Sequence, residues 1–316
     1  MSYRIATGAA ALVAALAAAG LPAHAQEPES CATPSFSDVG WTDISATTAL
    51  AGLVLENLGY TPKIDILSVA VTYEALPRGD IDIFLGNWMP LQEPIQKPLV
   101  EAGKIEVPLV NLEGALIGFA VPKAAYDAGL KTYSDIATFA DDLDHKVYGI
   151  EAGSSANATI SEMIAADKFG LGDFSLVESS EQAMLAQVQR AAKAGDPIVF
   201  FGWRPHPMNV NIEMAYLTDG DDVFGPNDGA ATVLTNTRPG YSAECPNVGK
   251  LLANLAFSVE AEDLMMSYIL DDGMSADAAA EKWLKDNPGV LDGWLDGVTT
   301  RDGAPGADAV RQGLGL

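Results

Sequence analysis

The sequence has few basic side chains, and beyond residue 25 it has no apolar run of the roughly 20 residues that span a bilayer. Its 316 residues contain 18 Lys and Arg against 43 Asp and Glu, a formal net charge of −25 at pH 7. Such a surface repels nucleic acid and anionic lipid, and its long-range field favours cationic ligands. The composition therefore argues against a nucleic-acid partner, and most of this charge is interpreted as serving solubility.

Histidine and catalytic motifs are also scarce. Beyond residue 25 only His145 and His206 are present, and His145 lies in a charged segment. The sequence has no Gly-x-Ser-x-Gly elbow, no His-Glu-x-x-His motif and no phosphate-binding loop. The acidic stretch Asp219–Asp222 lacks the spacing of a calcium loop and is interpreted as a solvated turn. We therefore expect no enzymatic activity, no cofactor and no metal site.

The first 25 residues have the organisation of a secretory signal peptide. Arg4 supplies the positive start, Ala9–Leu21 forms an apolar run, and Ala23-His24-Ala25 is a small-x-small cleavage site. Cys31 lacks the preceding sequence of a lipid-anchored form. We therefore predict a soluble protein that is exported to the periplasm.

Two cysteines, Cys31 and Cys245, are present in the whole sequence. In an oxidising compartment the default is a disulfide between them, which would close a loop of about two hundred residues. Two unrelated buried thiols are the alternative. A metal site has less support, because the sequence has no Cys-x-x-Cys motif and no histidine close to either cysteine.

Short apolar strands alternate with amphipathic helices through the first two thirds of the chain, which indicates an α/β fold with parallel strands and crossover helices. A helix over 42–58 is predicted to be capped by Thr42 or Asp43, and a helix over 180–194 by Ser180. From residue 248 onward three helices are predicted. The strands are expected at 34–39, 63–68, 81–85, 115–121, 146–150, 175–178, 197–201, 215–217 and 231–236.

Glycine-marked crossings near Asn111–Gly114 and Gly225–Gly229 predict two lobes that are joined by two strands. One lobe would comprise residues 26–112 and 228–316, and the other residues 113–227. Ligands of open α/β sheets bind beyond the carboxyl ends of the strands. With two sheets that face each other, the predicted site is the cleft between the lobes.

Three tryptophans follow predicted strands, each beside a glycine: Trp41, Trp88 and Trp203. A quaternary ammonium or sulfonium group has no hydrogen to donate, but indole faces attract it, at about 2 kcal/mol or more for each desolvated contact. Asp43, two residues after Trp41, adds a negative charge. A tryptophan at a strand end can also simply fill the top of a sheet, but three such positions together favour a site for a soft cation.

Several motifs resemble periplasmic binding proteins of the choline and glycine betaine class of ABC importers, and most of all the choline-binding members known from rhizobia. The matching segments are Phe36–Ile44, Asp82–Pro90, Glu178–Val188 and Pro197–Asn209. The resemblance implies a type II two-lobed fold that closes over a trimethylammonium group in an aromatic box. It also implies a permease and an ATPase as partners, and a monomeric chain.

On this resemblance, Trp41, Trp88 and Trp203 match three box positions and Asp43 matches the acidic residue of the family. Three positions depart from the family pattern. Ile117 replaces the fourth aromatic, Ser154 replaces an asparagine that holds the choline hydroxyl, and Arg204 replaces an acidic residue. Asn87 and His206 lie in the same motifs and are further candidates for the site.

The departures leave the ligand open. Ser154 at a helix N-terminus and a basic Arg204 near the cleft would both favour a carboxylate, as in glycine betaine or dimethylsulfoniopropionate. Choline stays an alternative, and so do other methylated amines such as trimethylamine oxide or carnitine. The functions from other classes are an exported enzyme and a ligand sensor.

Overall fold

The computed structural model describes residues 27–316, so the predicted signal peptide over residues 1–25 lies outside the described residues. Within the described part, no helix has both the length and the apolar content that a membrane crossing requires. The described residues form an α/β structure in which one mixed sheet is flanked by helices.

Residues 27–316 contribute nine strands to that sheet, in the order β2-β1-β3-β9-β4-β7-β5-β6, with β8 paired to β4. Strand β1 is parallel to β2 and β3, and β5 is parallel to β6 and β7, as expected for crossover helices. The strands are β1 Ser35–Asp38, β2 Lys63–Ile66, β3 Ile83–Met89, β4 Glu106–Pro122, β5 Lys146–Tyr148, β6 Ser175–Val177, β7 Val199–Arg204, β8 Met214–Tyr216 and β9 Ala230–Thr237.

Helices cover the faces of the sheet, and the C-terminal helices pack against α1. They are α1 Thr42–Asn57, α2 Val69–Ala75, α3 Glu93–Glu101, α4 Lys123–Asp127, α5 Ser155–Ala165, α6 Glu181–Ala194, α7 Met208–Asn211, α8 Pro226–Gly229, α9 Tyr241–Glu244, α10 Pro246–Asn254, α11 Val259–Leu270, α12 Ala276–Asp286, α13 Val290–Trp294 and α14 Gly306–Leu314. Short 3-10 helices lie at Glu29–Ala32, Leu76–Arg78, Tyr133–Phe139 and Lys168–Gly170.

The two long strands β4 and β9 connect the two parallel halves. We call β2-β1-β3 with α1 and the C-terminal helices the first lobe, and β7-β5-β6 with α5 and α6 the second lobe. The sequence analysis expected two sheets, and the halves are instead hydrogen-bonded into one continuous sheet because β4 and β9 pair with each other and with both sides. The boundaries predicted at residues 112 and 228 stay a prediction.

Two of the three tryptophans lie inside strands, whereas the sequence analysis placed all three after a strand. Strand β3 continues through Trp88, which pairs with Val233, and β7 continues through Trp203, which pairs with Ile117. The antiparallel partners extend these strands past the glycines, where local propensity alone would end them. Only Trp41 follows its strand.

The first lobe contains a disulfide between Cys31 and Cys245, as the sequence analysis expected, with a Cα–Cα distance of 5.6 Å and a sequence separation of 214. Its core joins α1 to the C-terminal helices and includes Trp283 and Trp294, whose rings stack at 6.0 Å. A second core cluster spans both lobes and includes Trp41, Trp88 and Trp203. The fold therefore brings the three predicted box tryptophans into one cluster.

Candidate functional site

A cavity between the lobes encloses about 390 Å³ of space not filled by atoms, its mouth included. Its lining falls into two groups. The first wall is Trp41, Asp43, Trp88, Leu91 and Gln92, and the second wall is Ile117, Ile150, Ser155, Ala156, Phe201 and Trp203.

The turn between β1 and α1 places Trp41 in the first wall. The Asp38 carboxylate accepts hydrogen bonds from the Gly40 N–H and the Ser45 hydroxyl, both at 2.7 Å, and Gly40 has a positive φ of 80° that favours glycine. Trp41 itself is the N-cap of α1 and makes no side-chain capping bond. The prediction that Thr42 or Asp43 caps this helix is therefore wrong, because both residues lie inside its first turn.

Trp88 and Asp43 are joined by a buried hydrogen bond, in which the Trp88 Nε1–H donates to Asp43 Oδ2 at 3.0 Å. The adjoining part of β3 packs closely on α1, since a Cβ on Gly86 would lie 2.9 Å from Ile44 Cγ1. The other carboxylate oxygen, Asp43 Oδ1, is buried without a hydrogen-bond partner among the described residues. Buried acceptors without a protein partner are rare, and Asp43 Oδ1 is therefore available to interact with a ligand.

Burial and, to a smaller extent, the negative charge of Glu181 together raise the pKa of Asp43 from 3.8 to about 7. The hydrogen bond from Trp88 opposes this shift. A cation in the cavity would favour the ionised carboxylate, because an opposite charge at short range stabilises it. The site is thus arranged so that a bound cation and the ionisation of Asp43 support each other.

The second wall combines Trp203 with Phe201, which precedes it by two residues on β7 and therefore faces the same side of the sheet. Their ring centroids are 5.9 Å apart. Ile117 of β4 pairs with Trp203 of β7 and also lines the cavity. The sequence analysis missed Phe201, although the alternation along β7 could have identified it.

At the α5 N-terminus, the neighbour of the predicted residue lines the cavity. Ser154 is the N-cap, and its hydroxyl accepts from the Asn157 N–H at 3.2 Å, so that its side chain stabilises the helix. Ser155 lines the cavity, and its hydroxyl oxygen is buried without a partner in residues 27–316. A polar contact with a ligand is therefore better placed on Ser155 than on Ser154.

Besides Ser154, three other predicted residues do not line the cavity. Asn87 is buried at the pairing of β3 and β9, where its side chain donates to Asn236 Oδ1 at 3.1 Å. Arg204 is exposed and lines a separate groove with residues 256–260. His206 is buried behind Trp203, with 4.8 Å between their ring centroids. Strand alternation explains Arg204, because adjacent residues on β7 face opposite sides of the sheet.

A buried polar chain connects the first wall to β9. The Gln92 side-chain amide donates to the Gly86 carbonyl at 2.8 Å and accepts from the Tyr73 hydroxyl at 2.8 Å. The Tyr73 oxygen in turn accepts from Asn236 at 3.1 Å. Spacing within the sequence gave no signal for this series of hydrogen bonds, because its members come from α2, β3 and β9 and from the segment before α3.

Comparison with known proteins bears on this site. The model of the substrate binding domain of ABC-type glycine betaine transport systems, OpuAC, matches residues 35–286. A solved ABC-transporter choline binding protein in complex with choline is 54% identical, with a TM-score of 0.89, and the match covers 91% of this chain and all of that one. A choline binding protein in an unliganded semi-closed conformation has the same identity and coverage, with a TM-score of 0.84.

Among curated proteins, the glycine betaine/carnitine transport binding protein GbuC of Listeria monocytogenes is 29% identical over 180 residues, which are 57% of this chain and 59% of GbuC. The OpuAC model spans most of the described residues and contains every residue that lines the cavity. The chain belongs to the family of substrate-binding domains of ABC-type glycine betaine transport systems.

Proposed function

We propose that the cavity captures a quaternary ammonium or sulfonium osmolyte for an ABC importer, with choline as the favoured ligand. The observation that carries this proposal is the combination of three indoles with the partnerless Asp43 Oδ1 in one buried cavity. Phe201 adds a fourth aromatic side chain to this lining.

An onium head fits this lining for physical reasons. Aromatic faces attract a cation that cannot donate hydrogen bonds, and desolvation strengthens each contact to about 2 kcal/mol or more. Asp43 supplies a formal negative charge within the same lining. A primary ammonium group carries three N–H donors, and each of them needs an acceptor. Among the described lining residues, the buried side-chain acceptors without a partner are Asp43 Oδ1 and Ser155 Oγ. A cation without N–H groups therefore suits this lining better.

Choline is favoured because the cavity lining carries a negative charge and, among the described residues, no basic side chain. The carboxylate ligands suggested by Arg204 lose that support, since Arg204 lines a different groove. The Ser155 hydroxyl can pair with the hydroxyl of choline. The choline complex of a relative with 54% identity supports the same assignment.

Glycine betaine or dimethylsulfoniopropionate is the second candidate. Ser155 and Ala156 form the first turn of α5 and line the cavity, and the free N–H groups of a helix N-terminus favour a carboxylate. GbuC, the Listeria relative named above, is a glycine betaine/carnitine binding protein.

As a transport protein, the chain would be exported through its first 25 residues and would deliver its ligand as a monomer to a permease with its ATPase. The resemblance to signal peptides and the family membership support this proposal. An exported enzyme or a sensor are the other possibilities. Mass spectrometry after incubation tests the enzyme, and recovery of the ligand unchanged would argue against it. Uptake of radiolabelled choline tests the sensor, and uptake that requires a permease encoded beside this chain would argue against it.

Titration calorimetry with choline, glycine betaine, dimethylsulfoniopropionate, trimethylamine oxide and carnitine tests the ligand. We expect choline to bind most tightly. Tighter binding of glycine betaine or dimethylsulfoniopropionate would favour the α5 N-terminus as a carboxylate site. No heat with any of the five would contradict the proposed function.

A further inference from the structure

A buried carboxylate of the second lobe is bonded to the first helix of the first lobe. Glu181, the first residue of α6, is 1% exposed. Its Oε2 accepts from the Thr42 backbone N–H at 3.0 Å, and its Oε1 accepts from the Thr42 hydroxyl at 2.7 Å. The two residues are 139 positions apart in sequence, so the contact exists only because the lobes meet.

His206 holds the same carboxylate from behind. Its Nε2 lies 3.0 Å from Glu181 Oε1, and its Nδ1 accepts from the Met208 N–H at 2.9 Å. Since Nδ1 accepts, the hydrogen of the neutral imidazole is on Nε2, which donates to Glu181. The Glu181 carboxylate therefore accepts three hydrogen bonds, two from the first lobe and one from its own lobe.

This contact supplies what α1 lacks. The 16-residue helix has Trp41 as its N-cap without a side-chain capping bond. The first N–H groups of a helix need acceptors, and a carboxylate there also interacts favourably with the helix dipole. Glu181 provides that carboxylate from the opposite lobe, at Thr42, which lies between the first-wall residues Trp41 and Asp43.

A second contact holds the same turn. The Trp41 Nε1–H donates to Glu151 Oε1 of the second lobe at 2.8 Å. Glu151 is only partly buried, whereas Glu181, Thr42 and His206 are all buried. Removing one partner from a buried, hydrogen-bonded charge is costly because the remaining groups lose their partners away from water. The contact of Glu181 with Thr42 is thus more consequential than the contact of Glu151 with Trp41.

We propose that Glu181 is a positioning residue that fixes the Trp41–Asp43 turn against the second lobe when the lobes are closed, and that it thereby sets how long the ligand stays bound. This inference rests on the proposed function for the nature of the ligand. Glu181 does not line the cavity, so it acts through Thr42 rather than by touching the ligand.

The test replaces Glu181 by glutamine, which keeps the size of the side chain and turns one acceptor into a donor. We expect the dissociation rate of choline from E181Q to rise about tenfold or more, while the association rate changes less than twofold. The melting temperature of unliganded E181Q is compared with that of Glu178→Gln, because the loss of a buried contact also lowers stability and this effect must be separated from the effect on dissociation.

Glu178→Gln is the matched control, because Glu178 accepts from Asn157 at 3.0 Å within the second lobe and makes no hydrogen bond to the first lobe among the described residues. Thr42→Val, which removes the hydroxyl and keeps the backbone N–H, completes a double-mutant cycle with E181Q. Non-additive effects on the dissociation rate would support the contact across the lobes.

Hydrogen exchange at the Thr42 amide in the unliganded protein gives a readout that needs no ligand. Faster exchange in E181Q than in E178Q supports the contact, even if the wild type were to bind none of the five compounds and the proposed function were to fail. An unchanged dissociation rate and unchanged exchange in E181Q would overturn the inference. So would a loss of unliganded stability that accounts for the whole effect on binding.

Discussion

The two walls of the cavity differ in charge and in how their side chains are held. In the first wall, Asp43 is ionisable, and the indole N–H groups of Trp41 and Trp88 are both hydrogen-bonded to carboxylates. In the second wall, Trp203 and its neighbours are uncharged and lie on or beside a regular antiparallel pair of strands. The difference suggests that the first wall recognises the positive charge and that the second wall sets the size and polar end of the ligand.

The lobes that carry these walls also differ in how they are held together. The first lobe is closed by the disulfide and by helices from the C-terminal end of the chain, whereas the second lobe is built from a continuous stretch of chain that contains no cysteine. Stability and ligand binding should therefore respond to different substitutions. The predictions below run from the largest expected effect to the smallest.

Replacing Cys31 and Cys245 by serine should lower the free energy of unfolding by about 2–5 kcal/mol, because the unfolded chain regains the freedom of a loop of more than two hundred residues. The affinity for choline should change less than twofold, since neither cysteine lines the cavity. Urea unfolding and calorimetry measure the two quantities. A large loss of affinity in a variant that is still fully folded would show that the disulfide also shapes the first wall.

Trp41→Ala should weaken choline binding at least about thirtyfold, which corresponds to the roughly 2 kcal/mol of one desolvated cation–π contact. Trp41→Phe is the control, because it keeps an aromatic face and loses only the hydrogen bond to Glu151. We expect its affinity to lie between those of the wild type and Trp41→Ala. Equal affinity of the wild type and Trp41→Ala would place the cation elsewhere.

Asp43→Asn should weaken choline binding about tenfold and should remove most of its pH dependence. The pKa of Asp43 is raised to about 7, so lowering the pH below 7 protonates the carboxylate and should weaken binding in the wild type. Binding at pH 6 should release a proton, which calorimetry in buffers of different ionisation enthalpy detects. Glu262 is also buried, and burial raises the pKa of its carboxyl group, with a further contribution from the charge of Asp43. Glu262→Gln is therefore the control for any pH dependence that arises from Glu262.

The raised pKa of Asp43 also predicts how the stability of the unliganded protein depends on pH, and this dependence is opposite to that of ligand binding. Between pH 3.8 and about 7 the folded chain keeps a proton on Asp43 that the unfolded chain has lost. The unliganded protein should therefore lose stability as the pH rises through this window, and Asp43→Asn should flatten that part of the curve. Steeper loss in Asp43→Asn would contradict the assignment to Asp43.

Arg204→Ala should change the affinity for choline and for glycine betaine less than twofold, because its exposed side chain lines a groove outside the cavity. Calorimetry with both ligands checks this. A selective loss of glycine betaine binding would mean that the second wall recruits Arg204 for a carboxylate.

Local patterns in the sequence predicted most of the elements but not their full extents. The α/β order, the disulfide and the tryptophan cluster follow from periodicity, cysteine count and strand-end spacing. The continuation of β3 and β7 through Trp88 and Trp203 depends on pairing with β9 and β4, which lie far away in the sequence. Such pairing carries no local signal.

The site was predictable where one residue acts alone. Asp43 lines the cavity, and the sequence indicated it as an acidic residue two positions after Trp41. Ile117 also lines the cavity, and the family resemblance alone indicated that position. Glu151 and Glu181 were missed, since an acidic residue on a helix or turn usually faces solvent. Their importance arises from Trp41 and Thr42 in the other lobe.

The unbroken sheet between the lobes has a mechanical consequence. Because β4 and β9 are hydrogen-bonded to each other across the connection, an opening of the lobes that keeps these bonds must bend a paired ribbon rather than rotate two bodies about a flexible linker. The register of this pair shifts at three places between Glu106 and Ala115, and such irregularities are where a strand bends most easily. The domain motion should therefore be elastic and limited in amplitude, with the lowest stiffness beside Asn111.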